Sequence, residues 1–545
     1  MSLPFLCQVD HLAWRHGALF GFGWAVDQEG PFKCGFLKLT FEEGRLDMID
    51  LMINRTRTDV AASFPHYANA ANAGFMFLAG WVGKAPVTAH LEFINQSGSV
   101  HRHDLKIGFQ NQQGSGQGIK FRVLIQRARR MLRQRDFGGL WTKVVRYRDA
   151  GGFAREGTES ELLSLLGNKL IRLIIDHNMG GGANVYRDRQ IEGWLENSSD
   201  SVVLLSFSLK HMEFMLEIHA NGRMVRRRVH DFNILSRVFQ RVPLREIFIN
   251  CLVSFPDLPD IEKAVYRWAR MSNAHLIVAI HEYFMICPSH FLLNWRGEYC
   301  DIPKSLAECQ QCLKLHKDGF VSLARHGNKT VADWRKVWGA LLTAADEVRC
   351  FSASSLNLIQ RVYPALNHQL TLTPHRVEAL RKPRLAAPRP TDELVIGVVG
   401  SITEHKGALV LDELVRAMEK TGVSLRIVIL GVLDSNIPIR GVTETGLYDR
   451  KDLPDLLEQE GVHLALMPSI CPETFSFVTH ELISMQVPVA CFGLGAQGDI
   501  VSRYALGHIV SARDGVGMLR ELISFSQEIP EIMIRLSNPS YPSSP

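Results

Sequence analysis

The hydrophobic pattern changes period once along the chain. From about residue 9 to residue 108, apolar and polar positions alternate in short runs, as in 18–26, 34–39 and 87–93, and Asp, Glu and Gly turns separate them. Period-two alternation sends successive side chains to opposite faces of a strand, so this spacing predicts a small β-sandwich over residues 1–112. Trp14, Trp24, Phe75, Phe77 and Trp81 are read as core of that domain, with stacking on sugar rings as their alternative use. Further on, unbroken apolar runs at 170–175, 202–205, 247–249 and 276–280 are separated by long helical patterns. The same rhythm resumes at 394–400, 427–431, 462–467 and 487–491. Apolar runs between helices are expected of buried parallel strands. Two doubly wound α/β domains are therefore predicted, at 161–380 and 391–545, joined by the Pro-rich linker 381–390, with a cleft between them as the default place for a ligand.

Composition narrows the class. A chain of 545 residues holds two to four domains of ordinary size. Apolar residues make up 46% and charged residues 21%, and no run approaches the roughly 18 apolar residues of a membrane-crossing helix. The first residues lack the basic, apolar and small-residue pattern of a secretion signal, so a cytoplasmic location is expected. In that compartment the ten cysteines are reduced thiols or metal ligands rather than disulfides. Net charge is only +5, but Lys120 to Arg148 carries ten Lys or Arg against the single acid Asp136. Apolar residues such as Val123, Leu124 and Met131 interleave with these cations. Residues 113–160 thus read as a basic helical linker, either a solvated helix packed on a neighbour or a peripheral contact to an anionic membrane through 120–148. No nucleic-acid partner is expected.

The candidate chemistry sits at strand ends. Glu473 and Glu481 lie eight residues apart across a predicted loop-to-helix junction that follows one apolar run and precedes another. Eight helical residues rise about 12 Å, roughly the span from sugar to ribose across a diphosphate. In open α/β sheets ligands sit outside the carboxyl ends of strands, where free helix N–H groups favour phosphate. In the first α/β half, Asp176-His177-Asn178-Met179-Gly180-Gly181-Gly182 directly follows an apolar run and precedes a helix with Tyr186 and Arg187. The triplet Gly180, Gly181, Gly182 is either a tight turn or a phosphate cradle. Cys287, Cys300, Cys309 and Cys312 fall within 26 residues and close on a Cys-x2-Cys pair. This spacing suits a structural zinc site, against scattered core cysteines as the plain alternative.

Taken together, these motifs resemble the GT-B retaining glycosyltransferases of the group often called family four or group one, here with an N-terminal β-sandwich extension. The resemblance rests on Gly400-Ser401-Ile402-Thr403-Glu404-His405-Lys406-Gly407, on Gly446-Leu447-Tyr448, on the Glu473 to Glu481 element with Ser469 upstream and Pro488-Val489 downstream, on the Gly180–Gly182 loop and on His281 at a strand end. It implies two Rossmann-like domains facing a cleft, an acceptor domain first and a nucleotide-sugar domain second. It further implies that Glu473 and His281 meet the transferred sugar, that Lys406 neutralises the leaving diphosphate, and that Glu481 holds the ribose. Ser401 and the Thr474, Phe475, Ser476 and Phe477 amides would support sugar and phosphate. The helix of 515–537 would return to the first α/β domain.

Under the same resemblance the donor is a nucleotide diphosphate sugar, and the acceptor a cell-surface polysaccharide or lipid-linked glycan of a bacterial envelope. Transfer proceeds by front-face attack without a protein nucleophile. No Asp-x-Asp motif stands at a strand end, so no catalytic metal is expected. Ser401 departs from the family, which carries Arg there; Arg172, Arg187 or the Gly180–Gly182 amides are the candidate substitutes. That departure is also the mark of the alternative, a catalytically inactive glycan-binding or scaffold protein of the same fold.

Overall fold

The structure, a computed structural model, describes residues 4–81, 83–107, 154–256, 258–324, 330–366, 368–389, 393–436 and 439–537. The basic segment 120–148 lies outside them. The chain forms two compact units, residues 1–290, 304–349 and 365–370 in one, and residues 291–303, 350–364 and 371–545 in the other. No helix among the described residues is long and apolar enough to cross a membrane.

The first unit begins with two four-stranded antiparallel sheets. One has the order Phe5–Arg15, Ala18–Asp27, Gly74–Gly80, Met52–Arg55; the other has Leu46–Asp50, Phe32–Thr40, Thr88–Asn95, Val100–Asp104. Alternate residues of both, including Leu19, Phe75 and Phe77 from one and Leu37, Leu39 and Phe93 from the other, enter a single core. Glycines make this packing feasible: a Cβ on Gly21 would lie 2.4 Å from the Phe77 ring, and one on Gly23 would lie 2.0 Å from the Gln8 carbonyl oxygen. Phe75 and Phe77 are buried, and Trp14 and Trp81 pack against the same core.

This β module is fastened to the α/β part of its unit by backbone and charge. Ser322 Oγ accepts from Gly80 N–H at 3.1 Å and donates to its carbonyl at 3.2 Å. A Cβ on Gly80 would stand 2.7 Å from Leu323 Cα, so the two backbones touch. Arg15 pairs with Glu213 at 2.8 Å.

The α/β sheet of the first unit runs, in spatial order, Glu347–Cys350, His275–Ala279, Leu244–Ile249, Ile171–Ile175, Ser201–Ser208, and continues into the antiparallel strands Glu213–Ala220 and Arg223–Val229. The first of its parallel strands in sequence, Ile171–Ile175, is central, with later strands on either side. Its carboxyl end is therefore a topological switch point, where loops diverge and leave a crevice.

The second unit is a six-stranded parallel sheet in the order Val442–Glu444, Arg426–Leu433, Val395–Ile402, Leu464–Met467, Val489–Phe492, Gly507–Val510. Numbered by sequence this is 3-2-1-4-5-6, a doubly wound order whose switch point lies between Val395–Ile402 and Leu464–Met467. Helices cover both faces over separate apolar clusters. The terminal helix Gly515–Ser537 packs into one of them through Met518, Leu519, Leu522, Phe525 and Ile529. Leu380 and Leu385 of the Pro-rich stretch pack on the other, and Arg381 pairs with Glu458 at 2.7 Å.

Candidate active site

Two constellations stand at the two switch points, one in each unit. In the second unit, Lys406 and Gly407 form the turn after strand Val395–Ile402, and Gly407 opens helix Ala408–Thr421. Gly407 has φ +94°, and a Cβ there would lie 2.1 Å from the Pro468 carbonyl oxygen. The Lys406 turn is thus seated directly on the loop that follows Leu464–Met467. That loop carries Glu473, whose carboxylate accepts from Ser469 Oγ at 2.6 Å. The backbone of Glu473 is pinned by buried Gln497, which accepts from its N–H at 3.1 Å and donates to the Cys471 carbonyl at 3.0 Å. Glu473 and Lys406 both act on the buried Cys471 thiol: burial raises its pKa most, the carboxylate adds to that and the ammonium opposes it.

Helix Phe477–Ser484 starts at Ser476, held in the left-handed region at φ +65°. Its hydroxyl bonds Thr479 Oγ1 at 2.7 Å instead of capping the helix. The first amides of the helix therefore receive no side-chain cap, the arrangement that favours an anion. Phe475 is anchored by stacking on His480 at 4.0 Å and by His375 at 4.7 Å. Only residues 477–481 of the Glu473–Glu481 interval are helical, which corrects the expectation of a helical rise between the two acids: Glu473 belongs to the loop, Glu481 to the helix. Buried Glu481 accepts a charged hydrogen bond from Arg450 Nε, beside Tyr448, whose hydroxyl is pushed up to about 12 by burial and by Glu481. Thr474 lies in the same loop, and Ser401 is exposed at the end of strand Val395–Ile402.

In the first unit, Gly180 and Gly181 have φ +87° and +88°, so the triplet needs glycine for its backbone path before helix Gly182–Asn197. Asp176 ends strand Ile171–Ile175 fully buried and collects donors: His177 N–H at 2.8 Å, Asn184 Nδ2 at 2.8 Å and Arg187 Nη1 at 3.1 Å. Asn184 Oδ1 in turn accepts from Gly180 N–H at 2.6 Å, which fixes the loop. Burial raises Asp176 to about 7 against the pull of Arg187, and lowers neighbouring His177 to about 4. Glu282 is raised to about 8 by burial, with Asp176 adding to the shift and a bond to Cys251 opposing it. His281 follows strand His275–Ala279 and bonds Asn250 Oδ1 through Nε2 at 2.9 Å, its ring edge against Tyr186.

The arginines named as substitutes for the missing Ser401 cation are committed elsewhere. Arg172 pairs with Asp200 at 2.9 Å and Glu246 at 2.7 Å, and Arg187 with Asp176 and Asp188. Both serve structural ion pairs.

The zinc expectation gains no support. None of the ten cysteines is in a disulfide. Among the described residues, the group of three donors within 4.8 Å is Asp176, His177 and Cys251, which includes none of Cys287, Cys300, Cys309 or Cys312. Cys309 and Cys312 ride on helix Leu306–Leu315, and Cys287 and Cys309 pack against the apolar cluster of Leu313, Val321 and Val331. Burial pushes the Cys309 thiol up, away from the thiolate that zinc requires.

No protein-family model and no curated protein matches the sequence. Solved structures resemble about two thirds of the chain. The chain is similar to Anabaena HepE in complex with UDP and glucose, with 14% identity over 67% of this chain and 91% of that one, at a TM-score of 0.39. It is similar to the lipopolysaccharide outer core galactosyltransferase WaaB, with 12% identity over 67% and 94%, at 0.39. A glycosyltransferase from Rickettsia africae shares 12% identity over 68% and 94%, at 0.40. At these values the likeness assigns no chemistry, which has to come from the residues themselves.

Asn250, Glu282, Gln497 and Arg450 were not singled out in the sequence. The only sign of Asn250 there is a polar residue directly ending the apolar run 247–249.

Proposed function

We propose that the protein is a glycosyltransferase that moves a sugar from a nucleotide diphosphate sugar to a glycan or lipid-linked acceptor. The observation that carries this reading is the fused donor loop of the second unit. Lys406 and Glu473 are brought to one switch point by the Gly407–Pro468 contact, with an uncapped helix start and the buried Glu481 in sequence behind them. A diphosphate suits the helix amides and Lys406, a sugar hydroxyl suits Glu473, and ribose hydroxyls suit Glu481. Charge developing on the leaving diphosphate is where Lys406 contributes most to rate.

In this reading the reaction retains configuration through front-face attack, needs no catalytic metal and uses the departing phosphate as base. The basic segment 120–148 is then either a solvated linker or a peripheral contact to an anionic membrane surface. Ser401 favours the rival reading, a glycan-binding scaffold, because the position offers no cation to phosphate.

The test is a thermal-shift and nucleotide-release screen of UDP-, GDP-, ADP- and TDP-sugars on the wild type, Glu473→Ala and Glu481→Ala. Stabilisation by one donor with slow release of its nucleotide, lost in both variants, is expected. No response from well-folded wild type to any donor would replace the enzyme with the scaffold.

A further inference from the structure

We propose that Asn250 is a positioning residue that fixes the tautomer of His281. Asn250 is fully buried at the carboxyl end of Leu244–Ile249, next to the switch point. Its amide nitrogen donates to the Ala183 carbonyl at 3.0 Å and to the Asp176 carboxylate. A carboxamide has two N–H donors and one carbonyl acceptor. The Ala183 carbonyl accepts only, so the amide nitrogen must be the atom that faces it; the orientation of the group is thereby determined, and Oδ1 is what faces His281.

The 2.9 Å contact between Oδ1 and His281 Nε2 therefore has one sense: Nε2 carries the proton and donates it. In the neutral ring the lone pair then resides on Nδ1. The ring plane is held as well. Tyr186 meets the imidazole edge-on at 5.2 Å, and its hydroxyl accepts from Arg349 Nη1 at 2.7 Å. Arg349 is in turn clamped by both carboxylate oxygens of Glu347, at 2.8 and 2.7 Å.

The chain of fixed groups starts at the buried carboxyl of Asp176, passes through Asn250 and ends at His281. Its consequence is chemical. While neutral, His281 can accept a hydrogen bond or a proton only through Nδ1, so the network decides which ring atom donates and which accepts. This rests on the reading of His281 as a contact to the donor sugar.

The test separates the tautomer from the activity. Full-length protein labelled with ¹⁵N-histidine, compared with His281→Gln to assign the signal, should give the Nε2-protonated pattern for His281 in long-range ¹H–¹⁵N spectra without any ligand. An Nδ1-protonated pattern would overturn the proposal, and this measurement needs no Asn250 variant to fold. In folded Asn250→Ala the His281 signal should become a mixture of tautomers, and kcat/KM for the donor identified by the screen should fall at least tenfold. An unchanged tautomer with unchanged kcat/KM would also overturn it. If no donor is turned over while wild-type His281 shows the Nε2-protonated pattern, the tautomer assignment stands and the enzymatic reading fails alone.

Discussion

Gly407→Ala tests whether the two halves of the proposed donor site depend on one backbone contact. The residue sits at φ +94°, where a side chain costs about 1–2 kcal/mol. The added Cβ would stand 2.1 Å from the Pro468 carbonyl oxygen and 2.7 Å from its carbon. Ordinary van der Waals contact requires more than 3.4 Å to a backbone atom. The Lys406 turn and the Pro468–Glu473 loop must therefore separate by about 1 Å, and overpacking of this kind costs typically about 1–3 kcal/mol. Together the destabilisation is about 2–5 kcal/mol. The displacement also moves Lys406 away from Glu473, so affinity for a nucleotide diphosphate should fall at least tenfold in the fraction that remains folded. Urea unfolding supplies the first quantity and isothermal titration the second. A variant within 0.5 kcal/mol of wild type that binds nucleotide equally well would refute the argument, because the contact would then be neither tight nor functional.

Arg450→Ala removes the cation on buried Glu481 and should raise KM for the donor about tenfold or more with kcat within about threefold, since Glu481 is assigned to binding; steady-state kinetics at saturating acceptor decides it. Glu282, raised in the folded state from 4.5 to about 8, contributes stability that is complete below pH 4.5 and lost as pH rises through 8. Glu282→Gln should therefore flatten the fall in Tm between pH 5 and 9, a difference of at most about 5 kcal/mol; parallel slopes for wild type and variant would contradict the assignment. Transfer should survive EDTA unchanged, measured as product formation alongside circular dichroism, and complete loss from a folded protein would sink the metal-independent mechanism.

What could be read from the sequence followed from local periodicity. The runs at 394–400 and 427–431 gave their strands because a buried parallel strand is apolar on both faces, and Gly180–Gly182 announced a turn because positive φ at two successive positions admits little else. The two acids were legible as a pair, but their geometry was not. Ser476 in the left-handed region breaks the helix before Glu473, and neither composition nor spacing encodes that break. Asn250, Gln497 and Arg450 escaped for a common reason. Each acts through partners distant in sequence: Ala183 and His281 for Asn250, Cys471 and Glu473 for Gln497, Glu481 for Arg450. A polar residue that ends a buried strand signals only that something satisfies it.

The same reasoning assigns different work to the two sites. Charge at the first is absorbed internally: Asp176, Arg187 and Asn184 satisfy one another, and burial holds Asp176 and Glu282 near neutrality. Such a network rigidifies what it supports and offers little net charge to a ligand. At the second, Lys406 has no partnering acid in an ion pair among the described residues, and the helix start at Ser476 has no side-chain cap, so positive potential is directed outward. This contrast is what the proposed reading requires, with a diphosphate at the second unit and a neutral, hydroxyl-bearing group at His281 in the first.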